Sequence, residues 1–148
     1  MKKLPSFNLF LTDGSTLKSL SIKTKTILFF YPKAMTSGCS LEVQEFQNNL
    51  AKFNKIGFNI IGCSKDSIEK NIKFAKKYEL KYLLASDLSN ACEKLNIWIE
   101  KSMYGKKYFG IDRSTFIIDS QGKFYNQWNR VKVKGHVKEV FQSAKDCP

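Results

Sequence analysis

Apolar and polar positions along the chain change period several times, and each change marks an element. Residues 26–31, Thr26-Ile27-Leu28-Phe29-Phe30-Tyr31, are a near-continuous apolar run, and 58–63 are a second; runs of this kind predict buried central strands. Between them Val43, Phe46, Leu50 and Phe53 recur at helical spacing, which predicts one helix over about 39–54, closed by Gly57. Ile68, Ile72, Ala75 and Tyr78 predict a second helix, capped by Asp66 or Ser67. A short strand follows at 82–85, then a third helix that starts at Asp87 or Ser89 and carries Ala91, Leu95 and Trp98. Residues 99–110 read as a polar, aromatic loop around Gly105 and Gly110. Strands are predicted at 115–119 and 124–128 across the turn Ser120-Gln121-Gly122-Lys123. A last helix over 135–144 buries Val137, Val140, Phe141 and Ala144, and the tail after it reads as loose. Near the N-terminus, 8–12 and 16–20 flank Asp13-Gly14, a strong hairpin signal.

Strands alternating with helices imply an α/β fold, and the strand–turn–strand–helix ending makes its central β-sheet mixed, flanked by helices, with an N-terminal β-hairpin. The chain has 148 residues, suited to a single domain. No apolar run approaches the ~20 residues of a membrane span. Met1-Lys2-Lys3 begins like a signal peptide, but Pro5, Ser6 and Asn8 interrupt the apolar stretch one needs, so the chain reads as cytoplasmic with no membrane partner.

The formal charge of +12 changes this picture little. It is nearly all lysine, scattered rather than blocked, and only Arg113 and Arg130 are arginines. Specific nucleic-acid readers rely on bidentate arginine, so no specific nucleic-acid partner is expected. A basic module that binds polyanions or acts like a chaperone stays as an alternative; Tyr104, Lys106, Lys107 and Tyr108 are its nearest approach to an aromatic, cationic cluster. The four cysteines, Cys39, Cys63, Cys92 and Cys147, form no Cys-x-x-Cys pair, and the chain has one histidine, so neither a metal nor another cofactor is expected.

The informative cysteine is Cys39. It follows the strand at 26–31 and the loop Pro32-Lys33-Ala34-Met35-Thr36-Ser37-Gly38, at the start of a helix. Unpaired backbone amides and the positive end of the helix dipole meet there, and both favour a thiolate, the reactive form of the thiol. Thr36 or Ser37 can cap the helix, Pro32 fixes the strand exit, and Gly38 and Cys39 offer backbone N–H donors.

Pro32, Thr36 and Cys39 form Pro-x-x-x-Thr-x-x-Cys, the signature of peroxiredoxins. Tyr104-Gly105-Lys106-Lys107-Tyr108, then Arg113-Ser114-Thr115-Phe116-Ile117-Ile118-Asp119 and Lys134-Gly135-His136-Val137, follow in matching order. The set resembles the bacterioferritin-comigratory, or peroxiredoxin Q, subfamily over nearly the whole chain. The resemblance implies a thioredoxin-like fold and a thiol-dependent peroxidase acting on hydrogen peroxide and alkyl hydroperoxides in antioxidant defence. Cys39 would be the peroxidatic nucleophile, oxidised to a sulfenic acid. Thr36 would orient the peroxide and Pro32 would shield the thiolate. Arg113 would hold the thiolate and the developing charge, with Glu42 orienting Arg113. His136 reads as a cap or packing residue.

The chain departs from many members of the subfamily at one point. Gln44 stands where they carry a resolving cysteine, and Ala75 and its neighbours offer none in the second helix. A one-Cys-like enzyme is therefore expected, its sulfenic acid reduced by an external thiol such as thioredoxin, glutaredoxin or a low-molecular-weight thiol, in a monomer or homodimer. Cys147 and Cys92 remain possible resolving residues; Cys63 reads as buried and structural. A thioredoxin-like thiol–disulfide oxidoreductase is the nearest alternative. Thr36 stands where such an enzyme needs a second cysteine, and no proline precedes the strand at 115–119, which both oppose it.

Overall fold

The computed structural model describes residues 3–148. In chain order its elements begin with β1 (Asn8–Leu11), β2 (Thr16–Lys18), β3 (Thr26–Phe30), α1 (Ser37–Asn48), α2 (Leu50–Lys55), β4 (Asn59–Ser64) and α3 (Ile68–Lys77). They continue with β5 (Leu83–Ser86), α4 (Ala91–Lys94), β6 (Trp98–Met103), β7 (Lys106–Ile111), β8 (Ser114–Ile118), β9 (Phe124–Trp128) and α5 (His136–Ala144). Seven strands form one mixed sheet in the order β2-β1-β5-β4-β3-β8-β9, while β6 and β7 pair only with each other. β3, β4 and β5 are parallel; β8 runs antiparallel to β3, β9 to β8, and β1 to β5.

The apolar run of β3 is buried at every position because it is central and covered on both faces. Its odd residues, Ile27 and Phe29, point into a core closed by Val43 and Phe46 of α1, Phe53 of α2, Phe74 of α3, and Val137 and Val140 of α5. Its even residues, Leu28 and Phe30, meet a second core with Leu4, Phe7, Ala91, Cys92, Ile97 and Ile111. One face is thus covered by four helices, the other by α4 and the N-terminal segment. Gly62 sits mid-strand in β4 because a Cβ there would come within 2.5 Å of the Phe29 ring. The mixed sheet, its helices and the Asp13-Gly14 hairpin are as the sequence predicts.

Five local readings need correction. Residues 99–110 are not a loop: they are most of the β6–β7 hairpin, turning through Tyr104 and Gly105, both at positive φ (52° and 77°) as a two-residue turn requires. Tyr-Gly is a weak signal for such a turn, and the hairpin stands outside the main sheet, so little inside–outside alternation marks it. The helix over 39–54 is two helices, broken at Asn49, whose side chain donates to the Glu45 carbonyl. The core face of α3 centres on Asn71 and Phe74, with Ala75 and Tyr78 packed beside them as expected but Ile72 exposed, because Asn71 is drawn inward by hydrogen bonds to Tyr31, Ser64, Ser86 and the Ala85 carbonyl. The third helix ends at Lys94, before Trp98; its first amides, at Ala91 and Cys92, are held by the Asp87 carboxylate. The tail is packed rather than loose: Cys147 is buried, and Lys25 donates to its carbonyl.

Candidate active site

Sheet register assembles the site. Phe30, the last residue of β3, pairs antiparallel with Ser114, the first of β8. Arg113 therefore lies beside the loop that leaves β3, although it is far from that loop in sequence. Tyr31 extends the strand by one bond, its amide donating to the Cys63 carbonyl at 2.9 Å. The loop then turns sharply: the Ala34 amide donates to Asp66 Oδ2 at 2.8 Å, and Met35 adopts a positive φ of 69°. Asp66 also accepts from Ser64 Oγ at 2.7 Å. Asn71 bonds the same serine and the Tyr31 hydroxyl, so a buried polar network ties the loop to β4 and α3.

Thr36 occupies the N-cap position of α1 with extended backbone, but its hydroxyl does not cap the helix. It donates instead to the Lys33 carbonyl at 2.8 Å. The first i→i−4 bond runs from the Ser40 amide to the Thr36 carbonyl, leaving the amides of Ser37, Gly38 and Cys39 ahead of the helical ladder. Cys39 sits on this open turn and is only 1% exposed.

Arg113 spans the site. Its Nη2 donates to Cys39 Sγ at 3.3 Å, and its Nη1 donates to Glu42 Oε1 at 2.7 Å. Burial works against the guanidinium charge, but Glu42 and Cys39 together hold its pKa above the ordinary arginine value. Glu42 is fully buried one turn below Cys39. Burial raises its pKa to about 7 against the pull of Arg113, and its second oxygen, Oε2, has no hydrogen-bond partner. Gly38 makes room for the cation: a Cβ there would stand 3.3 Å from Arg113 Nη2. A forked donor fixed at one end by a carboxylate and touching sulfur at the other is an arrangement only arginine supplies.

The structure thus brings Cys39, Gly38, Glu42 and Arg113 into contact, with Pro32 half-buried and Thr36 exposed on the adjoining loop. The other cysteines lie elsewhere. Cys63 and Cys92 belong to the core on the opposite face of the sheet from Cys39, and burial pushes both thiols up in pKa. Cys147 shares a core with Cys39, but it is held by Lys25, at the start of β3, whereas Cys39 follows its end. β3 alone puts ~13 Å between those ends at ~3.3 Å per residue, against the ~7 Å a disulfide tolerates between Cα atoms. Gln44 is exposed on α1, with its amide donating to the Ser40 carbonyl. His136 is buried, bonded to Thr115 Oγ1 at 2.7 Å and edge-on to Phe46 and Trp128; burial lowers its pKa to about 4 and keeps it neutral.

Three residues near the site escape sequence reasoning. Asp66 holds the Ala34 amide, and Asn71 supports Tyr31; an asparagine on the apolar face of a helix was the available signal for the second. Lys101, on β6, donates to the Ile111 carbonyl and is close enough for Arg113 and Cys39 to act on its charge. Nothing in its local sequence marks it out.

Comparison with known proteins places the chain in a family. Residues 1–126 match the model of the AhpC/TSA family. Peroxiredoxin Bcp of Bacillus subtilis is 42% identical over 98% of this chain and 94% of its own. Peroxiredoxin Bcp of Escherichia coli K12 is 35% identical over 96% and 92%. The structure of Xanthomonas campestris peroxiredoxin Q superposes with a TM-score of 0.87 at 34% identity, covering 94% of this chain and 89% of that one. A second Xanthomonas campestris structure, of a bacterioferritin comigratory protein described for its alkyl peroxide reduction activity, matches at TM-score 0.87 and 33% identity over 94% and 90%.

Proposed function

Because the chain belongs to the AhpC/TSA family, and within it to the Bcp-type peroxiredoxins, we propose that its thiol-dependent peroxidase activity runs on Cys39 with Arg113, Thr36 and Pro32 around it. The observation that carries this reading is the bridge from Glu42 through Arg113 to the Cys39 sulfur. The thiolate attacks the terminal oxygen of a hydroperoxide. An S–O bond forms, the O–O bond breaks, and the departing alkoxide or hydroxide takes a proton to leave as alcohol or water. Cys39 becomes a sulfenic acid. Negative charge moves from sulfur to the leaving oxygen, so donors fixed beforehand around both atoms favour the transition state. Arg113 Nη2 and the amides of Gly38 and Cys39 are such donors. Thr36 Oγ1 has its proton committed to the Lys33 carbonyl, so its free lone pairs accept the peroxide O–H and aim it. Pro32 offers no N–H and keeps one wall of the site apolar.

Hydrogen peroxide and alkyl hydroperoxides are the substrates, and the activity described for the Xanthomonas campestris relative supports the second. The enzyme works in a one-Cys manner: Gln44 stands at the usual resolving position, and Cys92 and Cys147 are remote from Cys39. An external thiol reduces the sulfenic acid. Four free cysteines suit a reducing compartment such as the cytoplasm. We read the 148 residues as one domain, since both cores are built on the same sheet.

Mass spectrometry after one equivalent of hydrogen peroxide, with trapping of sulfenic acid and non-reducing peptide mapping, tests the reading. Sulfenic acid at Cys39 without any disulfide is expected. A Cys39 disulfide with Cys92 or Cys147 would replace the one-Cys mechanism, and no selective oxidation of Cys39 would remove it from the chemistry.

A further inference from the structure

The β6–β7 hairpin is the one pair of strands outside the main sheet among the described residues, and it carries an unusual surface. Tyr104 at its tip is 99% exposed, and Met103, Tyr108 and Phe109 are exposed as well. Such a cluster of large apolar side chains marks an interaction site more often than a free surface. Met103, Tyr104 and Tyr108 line an open pocket of about 450 Å³ together with Lys106 and Lys107. Cross-strand register aligns Lys101 with Tyr108 and Met103 with Lys106, so these four side chains share one face of the ribbon. That face borders the active site. Lys101 donates to the Ile111 carbonyl at the end of β7, and β7 leads through Asp112 directly into Arg113.

Charge selects the occupant. Lys101 and Lys106 lie on this face and Lys107 at the rim of the pocket, and of the three only Lys107 meets a carboxylate, Glu100, among the described ion pairs. The whole chain has a formal charge of +12, so a second copy would bring cations against cations. Aromatic side chains with a cationic rim fit a protein of opposite sign, since tyrosines serve as buried anchors and lysines steer the approach. The reaction at Cys39 also needs something of that kind, because its sulfenic acid must meet a thiolate from outside.

We propose that the Met103–Tyr104–Tyr108 face of this hairpin, with Lys101, Lys106 and Lys107, is the docking surface for a small acidic dithiol protein that regenerates Cys39. The inference rests on the one-Cys reading above and names the reductant's class and landing place. One partner thiolate attacks the sulfenic sulfur of Cys39; an S–S bond forms, the S–O bond breaks, and the oxygen leaves as water with two protons. The partner's second thiolate attacks its own sulfur in the mixed disulfide, and Cys39 leaves as the thiolate. The partner's two thiols end as a disulfide and Cys39 is reduced.

The test measures turnover of hydrogen peroxide with two reductants, dithiothreitol and an acidic thioredoxin, at low and high salt. Two variants are compared with the wild type: Tyr104→Ser with Tyr108→Ser, and Lys106→Glu with Lys107→Glu. Each should raise KM for thioredoxin by about tenfold. The lysine variant should also lose the salt dependence, while turnover with dithiothreitol stays unchanged for both. An unchanged KM for thioredoxin in both variants would overturn the docking surface while leaving the peroxidase reading intact. So would a shift from dimer to monomer on gel filtration without a change in KM, which would give the face to a second copy. Absence of turnover with either reductant in the wild type would instead count against the peroxidase reading itself.

Discussion

Gly38→Ala should weaken catalysis while leaving the fold as stable as before, or slightly more so. Gly38 lies in the first turn of α1, where alanine is conformationally acceptable, and replacing glycine in a helix gains up to ~0.5–1 kcal/mol. The new methyl group would meet Arg113 Nη2 at 3.3 Å, tighter than an ordinary contact of ~3.5–4 Å, so the guanidinium must retreat by about 0.4 Å. Its distance to Cys39 Sγ then grows from 3.3 Å to roughly 3.7 Å. At an effective dielectric of ~20, that costs about 0.5 kcal/mol of charge attraction. A poorer hydrogen bond costs about as much again. Together, ~1 kcal/mol predicts a second-order rate with hydrogen peroxide about fivefold lower. Stopped-flow fluorescence of pre-reduced protein gives the rate, and thermal unfolding gives Tm, expected unchanged or ~1–2 °C higher. A wild-type rate in a folded variant would refute the claim that Arg113 acts through this contact. A rate loss of a hundredfold or more with a falling Tm would refute the small displacement assumed.

Cys39→Ser should abolish turnover, whereas Cys63→Ala and Cys92→Ala should leave the rate with dithiothreitol unchanged; a loss in either core variant without a loss of fold would give that thiol a part in the cycle. Arg113→Lys should lower the rate by about 10–100-fold, because one ammonium cannot reach both Glu42 and Cys39 with the same geometry; equal rates would show that a point charge suffices. The folded Glu42 carboxyl keeps its proton to about pH 7, against 4.5 for its ordinary value. Its contribution to stability is therefore full below pH 4.5 and lost as pH rises through 7. Wild-type Tm should fall across that window relative to Glu42→Gln, and parallel curves for the two proteins would contradict the raised pKa. Asn71→Leu should cost about 2–4 kcal/mol by leaving the Tyr31, Ser64 and Ser86 hydroxyls short of a partner, read by urea denaturation.

What was legible in the sequence was whatever leaves a dense local signal. The apolar runs of β3 and β4 and the Asp13-Gly14 turn announce the sheet and its first hairpin, and the order of helices and strands sets its mixed character. Cys39 at a helix start and Arg113 among lysines point to the chemistry before any geometry is known. The misread parts are those governed by partners far along the chain. Asn71 turns inward, displacing Ile72 from the core, because Tyr31 and Ser64 wait there for hydrogen bonds. Residues 99–110 form a hairpin that buries too little to show alternation. Cys147 is held in place by Lys25, 122 positions earlier, which donates to its carbonyl. The break at Asn49 falls within a stripe of apolar residues that runs straight through it, so periodicity alone hides it.

The pairing of Phe30 with Ser114 also has a meaning in time. A chain leaving the ribosome exposes Cys39 well before Arg113 has been made, since 74 positions separate them. Until β8 docks against β3, the thiol has neither its forked cation nor the anchor that Glu42 gives it. Non-local strand pairing of this kind comes late in folding. A growing or truncated chain that ends before residue 113 therefore holds Cys39 without the guanidinium that meets its sulfur, and the Glu42–Arg113–Cys39 bridge exists only once β8 has docked.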